Sequence, residues 1–257
     1  MRRTVRVDKR KPTKILLRTM GQRFTICPDQ EVQQYIQRLG SDCVPWFYAT
    51  AAPGELSRSS FRFFAVKLRS PNAYAFPNGV IVIDVNLLRQ LKNEAQLISV
   101  LAHEIAHVTH RHVFRDADRA ARLDRRIDIV NQVVGWTPGM AFVLKATATG
   151  IICHRSRQSE RQADRLALQY MVQAGYDPRE AAQSFTVLGD SNRGWNPQDL
   201  FLSHATNQRR RAHIMALLSG SYRQCTFDNL RRNSTDFQSM CEALTGSTGR
   251  RGGGSQT

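Results

Sequence analysis

The sequence is poor in the features that mark disulfide-stapled, membrane-spanning or fibrous proteins. Its five cysteines, at 27, 43, 153, 225 and 241, contain no Cys-x-x-Cys pair, which argues against a zinc knuckle and a thioredoxin-like redox site. Five thiols cannot all pair. Cys225 and Cys241 flank a polar stretch and are the pair that an oxidising compartment could join, while five buried free thiols fit the pattern equally well. Long apolar runs are missing too: the longest uncharged one, residues 129–144, has 16 residues and is interrupted by Asn131, Gln132 and Pro138, whereas a spanning helix needs about 20 mostly apolar residues. The first 20 residues are basic but lack an apolar segment, since Ile15-Leu16-Leu17 is too short. Neither a secretory signal nor a membrane span is expected. Lysine is scarce as well, six among 37 basic residues. The positive charge is therefore mostly guanidinium, suited to bidentate contacts with carboxylate or phosphate.

What is present is enough apolar material for a core. The 257 residues are 41% hydrophobic and 23% charged, with a net charge of +16, which fits one catalytic-size domain with trimmings and a solvated basic surface. Residues 1–26 read as a basic lead-in without periodicity. Val32, Tyr35, Ile36 and Leu39 then share one face of a helix from Asp29 to Leu39, with Gly40 as its stop. Strands are expected over 61–68, 72–76 and 80–83, the last two joined by the turn Pro77-Asn78-Gly79. Helices dominate after Asn86. Asn93 and Gln96 form a capping box ahead of a buried stripe of Ile98, Leu101, Ile105 and Val108. A hairpin is expected over 131–153, and a helix over 156–174 ending at Gly175. Asp177-Pro178-Arg179-Glu180 starts another, with a reciprocal Glu, and Thr206 caps one reaching Leu218. The glycine-rich segment 246–257 reads as a disordered tail.

Within the long helix, His103-Glu104-Ile105-Ala106-His107 is the sharpest signal. Histidines four apart project from one helical face and can clasp one metal ion, with the intervening Glu beside it; the pair is expected on the face opposite the apolar stripe. A catalytic zinc needs a third protein ligand and an open position. Position 113, ten after His103, is a valine. His110, on the same helix, would make poor tetrahedral geometry, so it and His112 are assigned supporting or structural roles. Glu160 is the better ligand. Asp164 lies four residues on, on the same helical face, placed to accept the free ring N–H of a ligating histidine, His103.

Taken in order, Asn72-Ala73-Tyr74-Ala75-Phe76-Pro77-Asn78-Gly79, the His103-to-His107 helix, Glu160 with Ala163-Asp164, Ala174-Gly175-Tyr176-Asp177-Pro178, and Ser203-His204 followed by Arg210 resemble the HtpX/CAAX-prenyl-protease-like family of zinc metallopeptidases, of the gluzincin type. The resemblance runs from about Cys27 to Leu218 and is closest to the soluble, envelope-quality-control branch. It implies an α+β fold: a mainly helical zincin-like metallopeptidase domain with a small antiparallel or mixed sheet. It further implies peptide-bond hydrolysis with one Zn2+ per chain, ligands His103, His107 and Glu160, and Glu104 as general base. His204 would steady the oxyanion and Arg210 would support His204. Two positions depart from the family pattern, Ala205 where proline is common after the histidine and Asn78 where glycine is usual.

On this reading residues 27–220 are the peptidase domain, 221–245 a C-terminal extension and 246–257 the tail. An unfolded or extended polypeptide is expected to lie along Asn72, Ala73, Tyr74, Ala75 and Phe76, held backbone to backbone; Ala73 and Ala75 put small side chains on one face of that strand. Peripheral contact with a membrane or the cell envelope is the expected setting, with a cytoplasmic location as the alternative. Two other readings stand beside this one. A basic nucleic-acid-binding adaptor would use the +16, but the sequence has no recognised nucleic-acid module. A peptidase-fold scaffold or chaperone would keep its activity latent, with His204 in the open zinc position.

Overall fold

The computed structural model describes residues 16–19, 22–50, 56–68, 70–135, 137, 140, 157–187 and 207–249. A five-stranded mixed sheet has strands β1 (Leu16–Thr19), β2 (Gln22–Ile26), β3 (Arg62–Lys67), β4 (Ala73–Ala75) and β5 (Val80–Asp84), in the order β1-β2-β3-β5-β4. Only β3 and β5 run parallel, with Phe63 opposite Ile81; β4 is an edge strand, antiparallel to β5 with Tyr74 opposite Val82. The hairpin β1–β2 lies inside the stretch read as a shapeless lead-in. Its alternation is broken by charged residues, which left no periodicity to detect.

β2 pairs with only the end of β3, at Val66 and Lys67. Helix α1 (Gln30–Cys43) covers the rest: the Gln33 amide accepts from Ala65 N–H at 3.0 Å and donates to Ala65 C=O at 2.7 Å, and Gln37 accepts from Phe63 N–H at 3.0 Å. Asp29 caps α1 by accepting from the N–H groups of Glu31 and Val32, and Val32, Tyr35, Ile36 and Leu39 are buried as expected. Gly40 does not end this helix. A Cβ there would stand 2.4 Å from the Phe63 ring, so the glycine is a contact point between helix and sheet and α1 runs on to Cys43.

The sheet has two faces because side chains alternate along each strand. Phe63, Ala65, Ala73, Ala75, Ile81 and Ile83 join the main core under the helices, while Phe24, Val66, Tyr74, Phe76 and Val82 form a second, smaller cluster on the other side. The turn before β5 places Gly79 at φ 80°. Asn78 needs no left-handed backbone there: its amide donates to Thr19 Oγ1 at 3.0 Å and its oxygen accepts from Val80 N–H at 3.3 Å.

The remaining helices are α2 (Val85–Gln90), α3 (Glu94–Thr109), α4 (His112–Val134), α5 (Arg157–Gln173), α6 (Glu180–Val187), α7 (Asn207–Ser219) and α8 (Thr235–Gly249). Asn93 caps α3 by accepting from Gln96 N–H at 2.9 Å, while Gln96 accepts from Lys92 N–H at 3.0 Å, one residue before the position a capping box would use. The second expected box fails. Asp177 starts the turn into α6, but Glu180 takes the amides of Asn93 and Gln96 instead of the Asp177 N–H, which goes to Arg231 C=O. α3 is buried all round from Glu94 to Val108, so the polar face opposite the apolar stripe, with His103 and His107, is turned to protein and not to solvent; α1, α5, α6 and the sheet surround it. The expected hairpin over 131–153 lies outside the described residues from 141 on, and Thr206 lies outside them as well.

The segment set apart as a C-terminal extension is packed onto this domain. Phe237, Met240 and Leu244 of α8 belong to the main core, against α1 and α2. α8 continues to Gly249, into the segment read as tail. The thiols of Cys225 and Cys241 are free, the former exposed. Among the described residues no helix is long and apolar enough to cross a membrane.

Candidate active site

Two helices build the site. α3 presents His103 and His107 one turn apart, their ring centroids 4.6 Å from each other. α5 lies along α3 with Ala163 and Ala167 facing it, both buried, and such small residues let the helix axes approach closely. That approach brings Glu160, 1% exposed, to the imidazoles: its carboxylate oxygens lie 3.4 Å from His103 Nε2 and 3.2 Å from His107 Nε2. The two Nε2 atoms are 3.0 Å apart. A tetrahedral zinc with bonds of ~2.0–2.1 Å separates its ligand atoms by about 3.3 Å, so the three residues fit a zinc ion in number, chemistry and spacing. Among the described residues they are the one group of this kind. His110 is not in it; it caps the end of α3, with Nδ1 3.2 Å from Thr109 Oγ1.

Behind the triad stands an ion pair. Arg210 of α7 is 5% exposed and donates from Nη2 to Asp164 Oδ1 at 2.6 Å; its guanidinium lies 4.2 Å over the Phe185 ring. Asp164 Oδ1 is also 3.1 Å from His103 Nδ1, the contact that α5 was expected to make. Burial pushes the Asp164 carboxyl up, but Arg210 and His103 outweigh it and hold its pKa at about 2. Burial likewise works against the Arg210 cation, and Asp164 and Glu160 more than offset it. Arg210 Nη2 also lies 2.8 Å from His103 Nδ1 and 2.9 Å from His103 Nε2, so its described polar contacts run to His103, Asp164 and Glu160. His204 lies outside the described residues.

Glu104, 2% exposed, lines a small cleft together with Asn72, Ala73, Val100, His103, Phe185 and Ile214. β4 forms one rim. Phe76 N–H donates to Val80 C=O and Asp84 N–H to Asn72 C=O; with this ladder parity the N–H and C=O of Ala75 and the C=O of Ala73 point away from β5, toward the open edge. The Ala73 N–H, on the same side, is held by Asn72 Oδ1 at 2.9 Å. Tyr74 and Phe76 point to the small cluster beyond the sheet.

Sequence reasoning did not find the partners behind His107. His112, expected in a supporting or structural role, has its Nδ1 3.0 Å from His107 Nδ1 and its Nε2 3.1 Å from Gln162 Oε1. No periodicity reveals that pairing, because α3 and α4 are separate helices and Arg111 between them has a left-handed φ of 57°.

Comparison with known proteins shows the family. The model of peptidase family M48 matches residues 30–218. Over 194 residues the chain is 33% identical to the beta-barrel assembly-enhancing protease of Escherichia coli (strain K12), covering 72% of this chain and 38% of that protein. The corresponding protein of Yersinia pestis is 31% identical over 186 residues, 68% of this chain and 37% of that one. The mitochondrial metalloendopeptidase OMA1 of Arabidopsis thaliana is 28% identical over 168 residues, 65% of this chain and 33% of that protein. The chain therefore spans well under half the length of these relatives.

Proposed function

Because the chain belongs to peptidase family M48, we propose that it is a zinc-dependent endopeptidase that hydrolyses peptide bonds in unfolded or misfolded polypeptides. The observation that carries the reading is the convergence of His103, His107 and Glu160 at 3.0–3.4 Å beside the buried Glu104. These three residues would hold the zinc. When bound, zinc supplies a Lewis acid for the scissile carbonyl and lowers the pKa of water to about 7. Glu104 takes the proton of the attacking water and passes it to the leaving nitrogen, the role of a positioned carboxylate base and then acid. Asp164 and Arg210 act one layer back, Asp164 accepting from His103 Nδ1–H so that Nε2 faces the metal position. His204, by the family resemblance, steadies the oxyanion.

The edge of β4, which pairs with no further strand among the described residues, supports this substrate class. An added strand pairs through main-chain groups and needs an extended guest, which a folded surface rarely offers. Ala75 supplies a donor and an acceptor for it, and Ala73 an acceptor. A setting at the cell envelope belongs to the same proposal.

The test is Glu104→Gln. The variant is expected to keep one zinc per chain and to lose casein cleavage by about 10²-fold or more, the usual worth of a positioned base. Cleavage at the wild-type rate removes Glu104 from the chemistry.

A further inference from the structure

The two zinc-facing histidines are backed in different ways. His103 has a carboxylate behind it, at 3.1 Å. His107 has another imidazole, that of His112, which is 1% exposed and stands with its ring centroid 5.0 Å away at an interplanar angle of 68°. We infer that His112 is a positioning residue that holds His107 in its Nδ1-protonated form, with Gln162 setting the direction of the relay. The inference rests on the metallopeptidase reading above.

The direction follows from donor and acceptor bookkeeping. Two ring nitrogens 3.0 Å apart share one proton between them. The Gln162 side-chain oxygen can only accept, so the His112 Nε2 facing it at 3.1 Å carries hydrogen. In a neutral imidazole the other nitrogen is then bare, and His112 Nδ1 accepts. His107 Nδ1 therefore donates, and its Nε2 keeps a lone pair directed at His103 and Glu160. The opposite direction would put a proton on His107 Nε2, 3.2 Å from Glu160 Oε1, and close that ligand position.

The backbone is bent to make this contact. α3 ends with His110 N–H bonded to Ala106 C=O and Arg111 N–H bonded to Val108 C=O, both at 3.0 Å. Arg111 then takes the left-handed conformation, which is unfavourable for a residue other than glycine, and its guanidinium sits 5.3 Å over the Phe114 ring. The turn at Arg111 brings His112, the first residue of α4, back over His107. Gln162 completes the set from α5, between Glu160 and Asp164, so that one helix supplies a ligand and an outer contact for each histidine. An imidazole backing also adds no negative charge to a pocket that already holds Glu104, Glu160 and Asp164.

Outer contacts of this kind are worth about 10- to 100-fold in metal affinity. The experiment is zinc competition against a chromophoric chelator with the full chain. His112→Phe keeps the ring volume without its nitrogens and is expected to bind zinc about 10- to 100-fold more weakly. His112→Asn, whose Oδ1 replaces Nδ1 as acceptor, is expected to regain most of that loss, a rescue that a space-filling role would not give. Wild-type zinc affinity in a folded His112→Phe overturns the inference. An independent measurement needs no variant: in the 15N-labelled zinc-loaded wild type, a coupling across the hydrogen bond between His107 Nδ1 and His112 Nδ1, with the proton on His107, is expected, and a proton on His112 Nδ1 or no coupling overturns it. A wild-type chain that takes up no zinc overturns the metallopeptidase reading itself, and this inference with it.

Discussion

Helix α3 carries a buried carboxylate cluster near each of its ends, and the two are built from opposite kinds of partner. At its first turn Glu94, 3% exposed, accepts from the hydroxyls of Tyr35 and Tyr176, each at 2.6 Å, and from Ser234. Toward its other end Glu160 faces the ring nitrogens of His103 and His107. Hydroxyl donors satisfy a carboxylate outright, and the first cluster is complete with protein atoms alone. Imidazole nitrogens offer lone pairs as well as protons. Three electron-pair donors aimed at one point are a binding site for a cation. Burial alone does not distinguish the two clusters; the chemistry of the partners does.

The largest effect expected from breaking this contrast is on the ion pair behind the site. Arg210→Ala leaves Asp164 buried without its cation and should lower stability by about 3–5 kcal/mol, read by denaturant unfolding, with weaker zinc binding as His103 loosens. Wild-type stability would show that solvent or another cation reaches Asp164. Glu94→Ala should cost about 1–3 kcal/mol by stranding buried hydroxyls, while zinc stoichiometry, measured by metal analysis, stays at the wild-type value. Lost zinc in a folded Glu94→Ala protein would merge the two clusters into one functional unit.

Next comes the substrate edge. Ala75→Pro deletes an N–H that points away from β5, so the fold and zinc content should survive, and cleavage of a long unfolded substrate should fall by about tenfold, the worth of one main-chain hydrogen bond. Undiminished cleavage would place the substrate elsewhere. The smallest effect concerns pH. Asp177, fully buried, takes Arg179 and Arg232 at 2.8 Å; burial raises its carboxyl, and the hydrogen bonds from Arg179 and Arg232 bring it below the ordinary value. A depressed pKa contributes stability that is present above the unfolded value of about 3.9 and lost as pH falls through the folded one. Asp177→Asn should therefore flatten the acid limb of the stability curve below about pH 4 and be felt least strongly there. An unchanged acid limb would remove Asp177 from the balance.

The parts of this molecule legible in the sequence were those governed by local periodicity. The four-residue spacings of His103 and His107, and of Glu160 and Asp164, fixed which side chains share a face, and the alternation around Ala73 and Ala75 separated the two sides of β4. Contacts set by the approach of distant segments were not legible. Gly40 reads as a helix stop because nothing local reveals the Phe63 ring beneath it. Glu180 reads as a capping partner because Asn93 and Gln96 are more than 80 residues away. His112 sits beyond a turn that a sequence rule would assign to glycine and that Arg111 occupies.

The clasp around Glu94 bears on the order in which the chain can fold. Tyr35, Glu94 and Ser234 meet in one cluster although Ser234 lies 140 residues after Glu94, and Arg38 reaches Asp236 across 198 residues. During synthesis α3 is complete 125 residues before Ser234 (234 − 109), and that flank stays uncovered until Ser234 and the Phe237, Met240 and Leu244 side chains of α8 have been made. Contacts so distant in sequence slow folding. The far end of the helix that carries the histidine pair is thus closed only after α7 has brought Arg210 to the other end.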